Sequence, residues 1–126
     1  MFQKFFTLLL FVSLNTSAAT PTDLLAGYVS QSGQSANAVK GEDFFKVSHG
    51  QEWQCTSCHG KSPMMGGRHA STDKAIEPLA PAANAKRFTD SAKVDKWFRR
   101  NCKDVLAREC TATEKADVLA WLITLR

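Results

Sequence analysis

The sequence predicts an all-α fold in which helices and loops enclose a bound group. Apolar residues recur at helical spacing in several segments, and no alternating run of strand length is present. Residues 60–83 form a stretch without periodicity that six Gly and Pro residues interrupt. Because a loop of that length is uncommon in a compact domain, we expect it to wrap around a ligand.

The first 19 residues have the features of a secretory signal peptide. Lys4 supplies an early positive charge, an apolar run follows, and small residues precede the expected cleavage after Ala19. The apolar run of about 10 residues is too short for a membrane-spanning helix, which needs about 20. We therefore expect cleavage and an exported, soluble, periplasmic protein without a membrane span in its mature chain, residues 20–126.

The mature chain is divided into an arm and a single domain. Residues 20–36 are expected to be an N-terminal arm or linker, with a short helix around Leu24 and Tyr28 and a polar stretch after it. Residues 37–126 are long enough for one domain with a modest core, which a large bound group would enlarge.

Two helices are predicted on either side of the long loop. The first spans residues 37–49, where Asn37 can cap the amino end and aromatic residues supply apolar surface. The second runs from about residue 91 to residue 104, with an apolar stripe spaced i, i+3, i+4, i+7 that contains Val94, Trp97, Phe98 and Asn101.

A third helix is predicted to begin at Ala112. Thr111 and Glu114 have the spacing of a capping box, which satisfies backbone N–H groups at a helix start. The helix has one apolar stripe, formed by Val118, Trp121, Leu122 and Leu125.

Residues 55–59 carry the pattern Cys-x-x-Cys-His, which is the attachment signal of c-type haem. Two thiols three residues apart lie on one helical turn, so each can add to a vinyl group of the same porphyrin. A zinc site would need a second closely spaced pair, and a thioredoxin-like dithiol would need a βαβ setting. We predict one covalent haem c held by Cys55 and Cys58, with His59 as an axial iron ligand.

With this motif the chain resembles class I cytochromes c. The segment Gly41-Glu-Asp-Phe44-Phe45 is similar to the Gly and aromatic signature of their first helix, and residues 114–122 are similar to their last helix. In that family the two helices cross with aromatic residues packed at the crossing. The resemblance implies that residues 37–126 form a monohaem cytochrome c domain.

Several residues compete for the iron position opposite His59. Met64 and Met65 follow His59 too closely for the chain to pass round to the other haem face. His69 could reach it and would give a bis-His iron, whereas His49 precedes the motif on the first helix. Both are more typical of surface or packing histidines. The roles of Met64, Met65 and His69 stay open on the residues alone.

Asn101 is a further candidate because it lies on the apolar stripe of the second predicted helix. An amide on a buried face must find a partner. That partner is either local backbone, with Asn101 capping the helix or bonding to it, or the iron itself.

Cys102 and Cys110 are the two remaining cysteines of an exported chain. Eight residues of continuous helix would separate their Cα atoms by about 12 Å, beyond the about 4.4–6.8 Å that a disulfide spans. If the two residues pair, the helix must end near Cys102 and the chain must double back. The alternative is two free thiols.

The segment Lys96-Trp-Phe-Arg-Arg-Asn-Cys102, followed by Cys110, resembles the sphaeroides haem protein family, a branch of class I cytochromes c. In that family an Asn directly before the first disulfide cysteine is the distal iron ligand. The resemblance, which covers about residues 41–126, implies that Asn101 binds the iron and that Cys102 and Cys110 are bridged. It also implies a dihaem cytochrome c as redox partner and oxygen or nitric oxide as gas ligand.

The distribution of charge is more informative than its total. Removal of residues 1–19 takes away only Lys4 among the charged side chains, so the formal net charge falls from +4 to +3. That value does not indicate nucleic-acid binding. Residues 86–103 carry seven Lys and Arg against two Asp, which suits either a surface that steers an acidic redox partner or a solvated helix face.

Three functions are consistent with these residues. The favoured one is a periplasmic cytochrome that accepts electrons from a partner cytochrome and binds a diatomic gas when Asn101 leaves the reduced iron. The second is a plain electron carrier with two permanent axial ligands. The third is a structural or metal-binding module that uses Cys55, Cys58 and His59 without haem.

Overall fold

The computed structural model describes Ser13 and residues 17–126, so most of the expected signal peptide, residues 1–12 and 14–16, lies outside the described residues. Within the described residues, five helices and one hairpin of two-residue strands follow in the order α1 Pro21–Ser32, α2 Ala38–Lys46, α3 Cys55–His59, β1 Gly67–Arg68, β2 Ala75–Ile76, α4 Ser91–Leu106 and α5 Ala112–Thr124. The all-α prediction is confirmed, since strands this short leave no alternating pattern. No helix between residues 17 and 126 is long and apolar enough to cross a membrane.

The expected arm, residues 20–36, contains α1, which packs along α5. The helix begins at a capping box, in which the Thr20 hydroxyl accepts the Asp23 N–H and the Asp23 carboxylate accepts the Thr20 N–H. Leu24 and Tyr28 lie one turn apart on the face toward α5 and are 7% and 4% exposed. The burial of these two side chains makes α1 part of the hydrophobic core.

Helices α2 and α5 cross as the resemblance to class I cytochromes c implies. Gly41 lies where the two backbones meet, because a Cβ there would collide with the main chain of Asp117 and Val118. Beyond the crossing, the ring of Phe45 packs on Trp121 with centroids 5.1 Å apart. Glycine therefore permits the approach, and the aromatic pair fills the space beside it.

The hydrophobic core lies between α1, α2 and α5. Leu119 and Leu122 of α5 are almost fully buried at its centre. The buried cluster consists of Leu24, Tyr28, Phe45, Phe88, Ala116, Val118, Leu119, Trp121 and Leu122. The single buried charged side chain in the described part of the chain is Asp117, which accepts the Asn37 backbone N–H at 2.7 Å and so joins α5 to the start of α2.

The predicted boundaries of α2 and α4 differ from those observed. Asn37 caps α2 as expected, but the helix ends at Lys46, and His49 folds back so that its Nε2 bonds to the Phe44 carbonyl at 2.8 Å. Helix α4 begins after its cap Asp90 and continues past the predicted end to Leu106. It contacts the other helices through few residues, in contrast to the extensive packing of α1 and α2 on α5.

Candidate haem site

Helix α3 is a single turn that places the two motif thiols together. Gln54 precedes it, with its N–H donated to the Ser57 hydroxyl at 3.0 Å, and Gly60 ends it with φ of 72°. Cys55 and Cys58 are both unpaired and half-buried, and Cys55 packs against the hydrophobic core. Burial raises the pKa of the Cys55 thiol to about 11, because the charged thiolate is poorly solvated there.

His59 follows directly at the end of this turn. Its ring lies 6.0 Å from that of Phe45, centroid to centroid. Burial, and then the positive charge of Arg87, lowers the pKa of His59 to about 4. The imidazole is therefore neutral at physiological pH, which is the form that binds a metal.

Arg87 is fixed beside His59 by the loop that precedes α4. Its Nε donates to the Pro78 carbonyl at 3.0 Å, and its Nη2 donates to the Glu77 carbonyl at 2.8 Å. These bonds hold a half-buried positive charge close to His59.

The long loop closes directly onto α3. Gly67 of β1 lies against the Cys58 carbonyl with no space for a Cβ, and the Ala70 N–H donates to Cys58 Sγ at 3.3 Å. β1 pairs antiparallel with β2, with Gly67 opposite Ile76 and Arg68 opposite Ala75. The loop that was predicted to wrap a ligand thus covers the cysteine motif.

The other candidate ligands of the sequence are placed differently from His59. The Nδ1 atom of His69 accepts the N–H groups of Ser71 and Thr72 at 3.3 Å each, and the ring lies against Trp53. His49 bonds to the Phe44 carbonyl of α2, Met64 is half-buried, and Met65 is 67% exposed. Within residues 17–126, His59 is the histidine whose ring makes no hydrogen bond.

Asn101 lies in the middle of α4 and is exposed. The stripe it shares is only partly covered, since Val94 and Phe98 are half-buried and Trp97 is 43% exposed. Of the two partners that the sequence left open for this amide, the structure does not show the local backbone. The helix runs five residues further to Leu106, so Asn101 is not a cap, and its side chain makes no hydrogen bond to any residue that the structure describes.

Cys102 and Cys110 meet beside Asn101. Their Cα atoms are 5.6 Å apart and their sulfur atoms lie at bonding distance, within the geometry of a disulfide. The expectation that the helix must end near Cys102 is wrong. The helix continues one turn to Leu106, and the chain reverses at Ala107, which has φ of 58°.

These donors fit an attached haem. Two unpaired thiols and a neutral, unbonded imidazole share one turn, under a loop that leaves no space for a side chain at Gly67. By contrast, no group of three or more His, Cys, Asp or Glu side chains in the described range could hold a metal ion. The site therefore does not have the convergence that zinc requires.

Sequence reasoning did not assign Gly67 or Arg87 to the site. The adjacent pair Gly66 and Gly67 was a signal of close backbone approach, but nothing in it named Cys58 as the neighbour. Arg87 counted only as one of several cations, because its role depends on carbonyls that the folded loop brings to it.

Comparison with known proteins identifies the family. Residues 31–122 match the family described as Domain of unknown function (DUF1924). The chain is 45% identical over 107 residues to the cytochrome c-type protein SHP of Cereibacter sphaeroides. The aligned region covers 82% of each chain. Oxidised SHP, described as an oxygen-binding cytochrome c, has a similar structure, with a TM-score of 0.81, 44% identity and coverage of 86% of this chain and 99% of that one.

A further similar structure is the solution structure of cytochrome c'' from Methylophilus methylotrophus, which concerns haem-ligand detachment in that protein. Its TM-score is 0.72 at 33% identity, over 83% of this chain and 93% of that one. Both neighbours are c-type cytochromes, so a module that uses the motif without haem is excluded. The chain belongs to the sphaeroides haem protein family and is a monohaem c-type cytochrome with one covalently bound haem c.

Proposed function

We propose that this cytochrome accepts electrons from a partner protein in the periplasm and, once reduced, binds a diatomic gas. In this proposal Cys55 and Cys58 form the two thioether bonds and His59 is the permanent axial ligand. The haem supplies an iron that changes between ferric and ferrous states and can take a gas as its axial ligand. The description of SHP as oxygen-binding supports the choice of gas, with nitric oxide as the alternative implied by the family.

Asn101 is the residue that makes the site switchable. Its amide oxygen is a hard, neutral and weak donor, which suits Fe(III) better than the softer Fe(II). With haem bound, Asn101 would hold the ferric iron weakly and would release it when the iron is reduced. The N–H groups of Asn101 can then donate a hydrogen bond to a gas in the vacated position, since an amide carries both acceptor and donors.

The observation that carries this proposal is the state of the Asn101 amide. It is exposed, it has no hydrogen-bond partner between residues 17 and 126, and it directly precedes Cys102, whose sulfur meets that of Cys110. In this proposal the amide is available to the iron, because no described protein group competes for it. The relative in which a haem ligand detaches supports the same behaviour.

The charge of α4 supports docking of an acidic redox partner. Five exposed cations lie on α4 against one exposed anion, Asp104; the cations are Lys93, Lys96, Arg99, Arg100 and Lys103. Of these, Arg99 is paired with Glu109 at 3.3 Å. Exposed charges of one sign accelerate association with an oppositely charged partner. The resemblance to the family implies that this redox partner is a dihaem cytochrome c.

The proposal of a periplasmic location rests on residues 1–19. Their charge, apolar run and small residues before the cleavage site are those of an export signal. Covalent haem and a Cys102–Cys110 bridge both suit an oxidising compartment.

The test is the Asn101→Ala variant in the ferric and ferrous states. We expect the ferric spectrum to change, because the distal ligand is lost, while the ferrous variant still binds carbon monoxide rapidly. Lys96→Ala, an exposed residue of the same helix, is the matched control and should leave the ferric spectrum unaltered. A ferric spectrum of Asn101→Ala that is identical to wild type would show that Asn101 is structural, and the plain electron carrier would be the better account.

A further inference from the structure

We infer that Tyr28 and Lys115 hold α4 in place and thereby set how fast Asn101 leaves the ferric iron. The contacts involved are those of Tyr28, Asp95, Phe98 and Lys115, which we call the α4 clamp. The inference rests on the proposed role of Asn101 as distal ligand. It adds a function to α1, the segment that the sequence indicated to be an arm.

The first part of the α4 clamp is Tyr28. Its hydroxyl donates a hydrogen bond to Asp95 Oδ1 at 2.7 Å. Its ring meets that of Phe98 edge to face, with centroids 5.9 Å apart and planes at 87°. One side chain of α1 thus contacts two successive turns of α4, through a polar and an aromatic contact.

The second part is Lys115 of α5. Its Nζ lies 3.6 Å from the same Asp95 Oδ1. It also lies over the rings of Tyr28 and Phe98, at 5.3 Å and 5.9 Å from their centroids. The ammonium therefore bridges α1, α4 and α5 at one point, where a cation, a carboxylate and two aromatic rings stabilise one another.

The environment keeps the Tyr28 hydroxyl protonated. Tyr28 is 4% exposed, and burial raises its pKa above the ordinary value, with the hydrogen bond to Asp95 and the charge of that carboxylate adding to the rise. The hydroxyl is thus a constant donor to Asp95.

Asn101 lies between the two points at which α4 is attached. The α4 clamp holds the helix at Asp95 and Phe98, and the contact of Cys102 with Cys110 holds it beyond Asn101. Elsewhere α4 shares only narrow contacts with the other helices. A helix fixed at two points restricts the residue between them, so a weaker clamp lets Asn101 move away from the iron more often.

The rate of cyanide binding to the ferric holoprotein measures this release. At high cyanide concentration the rate reaches a limit set by the departure of the distal ligand. Tyr28→Phe keeps the aromatic contact and removes the hydrogen bond to a charged group, so we expect the limiting rate to rise about tenfold. Lys115→Met, which keeps the aliphatic stem, should act in the same direction and provides a second variant.

The control is Thr124→Val, which removes a hydroxyl from α5 where it donates to the Trp121 carbonyl; it should leave the limiting rate unchanged. Amide hydrogen exchange within α4 should rise in Tyr28→Phe and not in Thr124→Val, independently of haem chemistry. In an Asn101→Ala background the limit should vanish and Tyr28→Phe should have no further effect.

Two results would overturn the inference, and they are distinguishable. If Asn101→Ala removes the limit but both clamp variants keep the wild-type rate, the clamp is wrong and the role of Asn101 stands. If Asn101→Ala retains the wild-type limit, Asn101 is not the ligand, and the proposed function fails together with the inference.

Discussion

Gly41 and Gly27 are both helical glycines, yet their surroundings differ completely. A Cβ at Gly41 would collide with the backbone of Asp117 and Val118, whereas a Cβ at Gly27 would meet nothing within 4 Å. Backbone atoms of a packed helix cannot move aside as a flexible side chain can. The two positions therefore separate the effect of helix propensity from that of close packing.

We expect Gly41→Ala to destabilise the holoprotein by about 3 kcal/mol, because it overpacks the crossing of α2 and α5. Gly27→Ala should stabilise it by up to about 1 kcal/mol, since alanine is the better helix former. Urea unfolding of the two variants and wild type measures both values. Equal stability of the two variants would contradict the close approach at Gly41.

Residues whose partners are close in sequence were predictable. Asn37 and the pair Thr111 and Glu114 cap their helices as the sequence indicates, because a cap needs only a side chain and N–H groups up to three residues away. The hydrogen bond from Tyr28 to Asp95 spans 67 residues, and no local pattern specifies it.

At the scale of elements, α4 and the turn after it form one unit. The helix passes Cys102 and ends at Leu106. The chain then reverses at Ala107 and brings Cys110 back to Cys102. Sequence spacing indicated that the chain must double back if the two cysteines pair. It did not locate the reversal, because Ala107 adopts a left-handed conformation that glycine or asparagine would have signalled.

We predict that Cys102 and Cys110 are bridged in the isolated protein, and that a Cys102→Ser, Cys110→Ser double variant is destabilised by about 2.5 kcal/mol in the chain-entropy model. Peptide mapping under non-reducing conditions reports the bridge, and urea unfolding reports the stability. Gas-binding rates should change more than haem content, because the bridge adjoins Asn101 and not the α3 motif. Labelling of both residues by a thiol reagent in the native protein would contradict the bridge.

Helix α1 illustrates how a polar end obscures the length of a predicted helix. Residues 30–35 contain Ser, Gln and Gly, which is typical of a linker, and the predicted arm extended over them. The stronger signals were at the other end, where Thr20 and Asp23 form a capping box and Pro21 starts the helix. Burial against α5 then fixes the element, and that contribution is tertiary.

At the scale of the whole molecule, two regions have different roles. Helices α1, α2 and α5 form the core, and α3 is anchored to it through Cys55. Helix α4 is attached at its clamp and at the contact of its cysteines. The proposed function assigns the permanent ligand, His59, to the anchored region and the releasable ligand, Asn101, to the restrained helix.

The haem motif made the cofactor predictable, because thioether attachment requires a fixed local spacing of residues 55–59. The loop around it was predictable only as a loop. Its contact with Cys58 and the position of Arg87 follow from hydrogen bonds formed on folding. The sequence could therefore indicate the chemistry of the site, but not how the loop and Arg87 surround residues 55–59.

The most direct test of the account is rapid mixing of the reduced wild-type protein with carbon monoxide, followed by visible spectroscopy. If Asn101 leaves on reduction, the ferrous iron is five-coordinate and high-spin before mixing, and it binds carbon monoxide quickly and completely. Oxygen or nitric oxide should then bind at the same position and compete with carbon monoxide. A ferrous iron that is low-spin and inert to carbon monoxide would contradict the account, because it would mean that two permanent ligands occupy both axial positions.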